Sequence, residues 1–234
     1  MANNPAAQPV AKKKGSSRIP LTYVVALVPV AAALNIVGGQ INTILKLPTF
    51  LDMIGTAVVA IVLGPWWGAL VGAITNIVAS FISGPIGLPF AVVNVAGALV
   101  WGYGVRNLMM GKTFTRYFIL NLVVALICTL FAVPIYVFIF GGATGHFSDM
   151  MTAAFLAAGQ NLITSVFSSN IIVSLADKVI SGFVALAIIE ALPKNLTSKL
   201  VLPVSTTMNK VLWILGGVLV GVAFALAYLA LQPK

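Results

Sequence analysis

The chain has 234 residues, 60% of them hydrophobic and 7% charged, with a mean hydropathy of +1.09. A soluble domain of this length needs far more charge to cover its surface, so lipid is the expected solvent, and no attached soluble catalytic or nucleotide-binding module fits. The net charge of +9 comes from Lys and Arg clustered between apolar runs, which marks membrane topology rather than a nucleic-acid surface.

Spanning takes roughly 20 apolar residues per helix, so the length allows about six or seven spans. Residues 1–19 read as a disordered, basic, cytoplasmic N-terminus without the cleavage site of a signal peptide. The first apolar run covers 20–39, and a polar connection follows over 40–50. A short second run covers 52–63 and is closed by Gly64-Pro65-Trp66-Trp67, with its aromatics at an interface. The third run covers 68–83. Ser83-Gly84-Pro85 and Gly87-Leu88-Pro89 are loop chemistry. The fourth run is 90–103, the basic loop after it holds Arg106, Lys112 and Arg116, and the fifth run is 117–140. Residues 153–192 are too long for one span, since 40 helical residues would extend about 60 Å, twice the hydrocarbon core. The sequence predicts a break at Ser168-Ser169-Asn170, with 170–192 spanning and the preceding piece near the interface. A basic cytoplasmic linker, 193–210, leads to an additional C-terminal transmembrane helix within 211–234. The expected fold is therefore all-α and polytopic, a membrane core over 20–192 plus that extra helix.

With the N-terminus in the cytoplasm and seven spans, the cytoplasmic side receives Lys12, Lys13, Lys14, Arg18, Arg106, Lys112, Arg116, Lys194, Lys199 and Lys210. The outside receives Lys46 and Lys234. Eight spans would move the Lys194–Lys210 cluster outside, against the positive-inside rule.

Ionisable and amide side chains inside a span are costly and mark candidate functional sites. In this topology Asn35, Asp52, Thr56, Asn76, Ser80, Asn94, Tyr136, Asn170, Ser174, Asp177 and Lys178 gather toward the outer face. The candidate ligand-binding set is Asn35, Asn42, Asp52, Asn76, Asn94, Tyr136, Asn170 and Asp177. Each amide has a second reading as a bond between neighbouring helices, and Asp52 one as a helix cap. Asp177 and Lys178 are adjacent and point to different helix faces, which predicts a separate partner for each rather than a mutual ion pair. His146, in a Gly-rich outer loop beside Asp149, reads as a loop residue; one histidine and one cysteine, Cys128, build neither a metal site nor a disulfide.

Ala60, Gly64, Gly68 and Gly72 fall four apart and allow close helix approach. They are the candidate surface for a partner subunit, with internal packing as the other reading. Gly217 and Gly221 repeat the spacing. No H-E-x-x-H, G-x-S-x-G or Walker loop occurs, and four acidic residues and one histidine leave little for acid–base catalysis. An enzyme is not expected, and no cofactor is implied.

Leu47-Pro48-Thr49-Phe50-Leu51-Asp52-Met53-Ile54-Gly55-Thr56-Ala57, then Leu63-Gly64-Pro65-Trp66-Trp67-Gly68-Ala69-Leu70-Val71-Gly72 and Thr75-Asn76, resemble the substrate-binding S components of energy-coupling factor (ECF) transporters. Ser169-Asn170-Ile171-Ile172-Val173 and Asp177-Lys178 are similar to that family's last core span. The resemblance implies a six-helix S-component core that binds a vitamin or related micronutrient at the outer face of the cell membrane. It also implies partners, a membrane T component and two ATPase subunits, and a lid formed by 40–50. The chain departs from the family in lacking alanines four apart in its first span and in carrying the extra C-terminal helix. With few cations near the outer face, a mostly neutral ligand is expected, cobalamin before a pyrimidine or a pyridoxine-like compound. A self-sufficient ion-coupled transporter and a membrane sensor without a transported ligand are the alternatives.

Overall fold

The computed structural model describes residues 20–203 and, beyond them, Val211 and Leu215. The expected basic N-terminus, most of the linker and the extra C-terminal helix lie outside the described residues. Eight α-helices follow in order: α1 Leu21–Leu45, α2 Ile54–Val62, α3 Pro65–Ser83, α4 Ala91–Arg106, α5 Phe114–Phe140, α6 Ser148–Ala157, α7 Leu162–Ala191 and α8 Lys194–Thr197, with a 3-10 turn at Pro85–Phe90 before α4. Among the described residues there is no strand. Five helical stretches (Leu21–Leu45, Pro65–Ser83, Pro85–Arg106, Phe114–Phe140 and Leu162–Ala191) are long and apolar enough to cross a membrane. The chain is an all-α polytopic membrane protein. Its outer surface carries exposed Leu21, Val25, Val30, Phe81, Phe138 and Ile163, side chains that only lipid solvates without cost.

The second apolar run is not a full span. α2 has nine residues, about 13 Å of helix, and every one of them is buried. The rest of that crossing is made by the connection after α1, which descends into the bundle in non-helical form. Asn35 lies ten residues before the end of α1, about 15 Å along its axis, and its Oδ1 accepts the Gly55 N–H at 2.7 Å. Irregular backbone at this depth is tolerated only when protein satisfies its polar groups, and three side chains do so. Besides Asn35, Asp177 Oδ1 accepts the N–H groups of Phe50 and Leu51, and Asn94 Nδ2 donates to the Asp52 carbonyl. Close approach needs bare backbone. A Cβ on Gly38 would lie 2.1 Å from the Leu51 carbonyl oxygen, and one on Gly55 2.1 Å from that of Ala31. Leu51 itself adopts φ 55°, a left-handed conformation costly for its side chain and held by these bonds.

The far end of α2 is capped from α4. Arg106 Nη1 donates to the carbonyls of Ile61 and Val62 at 3.0 and 3.1 Å, placing a cation at the negative end of the helix dipole. Gly64 then turns the chain and Pro65 opens α3. The core runs along α2 and the inner faces of the long helices, with Trp101, Tyr117, Ile61, Leu120, Leu186 and Ile189 fully buried. Trp101 Nε1 bonds Asn121 Oδ1 at 2.8 Å, and the Tyr117 hydroxyl donates to the Gly182 carbonyl at 2.8 Å, so each large amphipathic ring keeps a partner.

Two expectations are corrected here. The break in 153–192 falls at residues 158–161, where Gly159 has φ 86° and Asn161 caps α7 by accepting the Thr164 N–H. Ser168, Ser169 and Asn170 sit inside a continuous 30-residue helix. The polar connection after the first span is shorter than 40–50 because α1 continues to Leu45. Ala60, Gly64, Gly68 and Gly72 are all buried; Ala60, Gly68 and Gly72 pack against neighbouring helices, while a Cβ on Gly64 would meet nothing within 4 Å. A Cβ on Gly68 would meet Ala60 at 2.4 Å, and one on Gly72 would meet Asn94 at 2.7 Å. The smoothness of Ala60, Gly68 and Gly72 lets α2, α3 and α4 close on one another, the internal-packing reading of this spacing.

Candidate ligand cavity

The chain alternates direction from helix to helix, which brings the C-terminal halves of α1, α3 and α5 to the same end as the N-terminal halves of α4 and α7. A cavity of about 750 Å³ opens there, within the ~300–1,000 Å³ typical of small-ligand sites. Arg106, Lys112, Arg116, Lys194 and Lys199 follow or precede the opposite helix ends. The molecule therefore has a cavity end and a basic end.

Seven of the eight residues singled out from sequence line the cavity: Asn35, Asn42, Asp52, Asn76, Asn94, Tyr136 and Asn170. Asp177 stands behind the wall, bonded to Lys178, which does line it. Most of the amides are committed to other parts of the protein. Asn35 Nδ2 donates to Thr56 Oγ1 at 2.8 Å and Thr75 Oγ1 at 3.0 Å. The Thr56 hydroxyl donates to Asn94 Oδ1 at 2.8 Å, and Asn94 Nδ2 donates to Asn76 Oδ1 at 3.2 Å. Asn76 Nδ2 closes the chain on the Gly87 carbonyl at 2.9 Å. This relay ties α1, α2, α3, α4 and the 3-10 turn together, so the bond between helices describes Asn35, Asn76 and Asn94. Asn170 Oδ1 accepts from Ser174 at 3.3 Å.

Asp177 and Lys178 do form an ion pair, contrary to expectation. The Lys stem is long enough to curl back to its neighbour, and Asp177 has a second oxygen for the Phe50 and Leu51 amides. One carboxylate thus serves both partners. The Lys178 ammonium also lies 5.4 Å from the Phe50 ring centroid, within cation–π range.

His146 lies in the loop between α5 and α6, as expected, and joins that connection to the re-entrant segment after α1. Its ring stacks on Phe50, centroids 4.6 Å apart and planes 22° from parallel, and Nε2 lies 2.9 Å from the Thr49 carbonyl. Nδ1 accepts the Ser148 N–H at 3.1 Å. Nε2 also lies 3.2 Å from Asn42 Nδ2, and the acceptor role of Nδ1 toward the Ser148 N–H fits a neutral imidazole. Asp149 holds the same loop by accepting the N–H groups of Thr144 and Gly145 on Oδ2. Phe50, Phe90 and His146, all lining the cavity, were missed from sequence. The Pro48 and Pro89 beside the two phenylalanines marked them as loop-edge aromatics, but nothing local in the sequence pairs His146 with Thr49.

Among the described residues, no group of three His, Cys, Asp or Glu side chains could hold a metal ion. Fold and site together define a polytopic helical membrane protein with an aromatic-walled cavity, dotted with polar groups, at the end away from its basic loops. No family model matches the chain, and no curated protein or solved structure gives a match.

Proposed function

We propose that the chain is the substrate-binding membrane subunit of an ATP-driven uptake system of the ECF kind, capturing a compact micronutrient from outside the cell. The observation that carries this is the cavity at the end opposite the basic loops. Lys and Arg favour the cytoplasmic side, so the basic end faces inward and the cavity outward. The resemblance of the segments 47–57, 63–72 and 169–178 to S components supports the same role. The descending segment after α1 and the His146 loop form the cavity's outer cover. A volume near 750 Å³ accommodates a vitamin-sized compound. The T component and ATPase subunits would supply the energy, since the described residues offer no nucleotide site.

Two measurements test this. Mass spectrometry of the purified protein should find a retained or added small molecule bound one to one, and proteoliposomes holding the chain alone should accumulate none of it. Uptake driven by an ion gradient without partners would replace the proposal with a self-sufficient transporter. Complete absence of a small-molecule ligand would leave a sensor. Single cysteines placed at Lys46 and Lys112 should be labelled from outside and inside respectively, in a Cys128→Ser background because the buried Cys128 lines the cavity.

A further inference from the structure

Resting on the proposal that this cavity takes a small molecule, we infer that its ligand is a compact organic cation, with Asp52 as the counter-ion. The scarcity of cations near the outer face argues against an anionic ligand and leaves a neutral and a cationic one to be distinguished. With Asn35, Asn76 and Asn94 committed to their relay, the unspent charge of the wall is negative.

Asp52 lines the cavity. Among the described residues, no donor from another residue reaches its carboxylate; the bond from Asn94 goes to its backbone carbonyl. Lys178 is the cation of the same wall, but it is bound to Asp177. Two carboxylates therefore stand against one ammonium, and one negative charge is left over. Asp149, near the mouth, adds to it: Oδ2 is held by Thr144 and Gly145, while Oδ1 is buried with no partner. His146 contributes no charge in the neutral form its partners select. Lys46, the other cation in the lining, is exposed at the rim and screened by water.

A partly buried carboxylate that faces a cavity without a bonded partner gains when a cation or strong donor meets it. The aromatic wall has the matching preference. Phe90 and Tyr136 line the cavity and meet edge to face with centroids 5.0 Å apart, and ring faces attract cations electrostatically. A nitrogen heterocycle or amine bearing a fixed or acquired positive charge satisfies Asp52 and the aromatic wall together. Phosphorylated or carboxylated compounds are repelled.

The test uses the full chain in detergent and two readouts. Without ligand, Asp52→Asn should raise the thermal unfolding midpoint, because it removes an uncompensated charge and keeps the carbonyl that Asn94 uses. A lowered midpoint would make Asp52 a structural residue and overturn the inference. With ligand, a small-molecule cell extract is split by ion exchange at neutral pH into cationic, neutral and anionic pools. The cationic pool should stabilise the wild type, with apparent affinity reduced by roughly 30-fold or more in Asp52→Asn. Stabilisation by the neutral or anionic pool, equal in both proteins, overturns the cation while leaving small-molecule binding intact. Stabilisation by no pool removes both the inference and the proposal beneath it.

Discussion

Asp177 and Leu51 lie 126 positions apart, yet the Asp177 Oδ1 atom accepts the Leu51 N–H at 2.8 Å and the neighbouring Phe50 N–H at 2.9 Å. One carboxylate in the middle of α7 thereby fixes the backbone of the descending segment, while its other oxygen holds Lys178. The polar residues of this half of the bundle exist in large part to dissolve a stretch of non-helical chain inside the membrane.

Asp177→Ala should therefore lower unfolding free energy by about 3–5 kcal/mol, the range for stranding a buried ionic partner. Asp177→Ala combined with Lys178→Met should recover part of the loss, because no charge is then left unpaired. Unfolding in mixed detergent micelles measures both. Equal losses in the single and double variants would mean that the backbone bonds matter and the pairing does not.

The amide relay makes a second expectation. Asn94→Ala breaks bonds to Thr56, Asn76 and the Asp52 carbonyl and should cost about 1–3 kcal/mol of stability. A double-mutant cycle with Thr56→Val should give a coupling of about 0.5 kcal/mol or more. Asn94→Ala with unchanged stability and lost ligand binding would return this residue to the role of ligand contact.

Burial holds the His146 imidazole below its ordinary value of 6.5, outweighing the opposite pull of the Thr49 carbonyl, Asp149 and Asp177. A base whose folded value is depressed binds fewer protons folded than free, so the loop contact is at full strength above 6.5 and weakens as pH falls below it. Protonation would also set a proton on Nδ1 against the Ser148 N–H. Hydrogen exchange at Thr49, Phe50 and Leu51 should quicken as pH is lowered from 7 toward 5, after correction for intrinsic rates, and His146→Gln should remove that dependence. The same profile in wild type and variant would show that His146 does not set it.

Gly38→Ala and Gly55→Ala should each destabilise by about 1–3 kcal/mol, because the new methyl would meet backbone oxygen, which cannot rotate away. Gly39→Ala is the control; its nearest neighbour would be Asp52 Cβ at an ordinary 3.8 Å. Thermal midpoints of the three variants give the comparison.

The long helices and their apolar character were legible from hydropathy, and so was the gathering of Asn35, Asn94 and Asn170 at one end, since span direction alternates. What those side chains touch was not. A buried amide bonded to a threonine and one free for a ligand look the same in sequence, and only the three-dimensional relay separates them. The apolar run of 52–63 looked like a span because hydrophobicity records burial without saying whether lipid or protein provides it. The break near Gly159 was mislocated because a serine-rich segment resembles a loop, whereas in α7 Ser165, Ser169 and Ser174 are buried against neighbours. The Asp177–Lys178 pair shows that helical wheel geometry constrains Cβ positions and leaves a flexible lysine head free to turn.

α2 has a consequence for biosynthesis. A nine-residue helix with no lipid-facing side is too short to be recognised as a span by the insertion machinery. α1 and α3 run in the same direction, so the segment between them must return across the bilayer, and it gains its protein cover only as the later helices assemble around it. The cavity wall that this segment carries is formed only at that last stage, so newly made chains arrested before it would be membrane-integrated yet unable to bind.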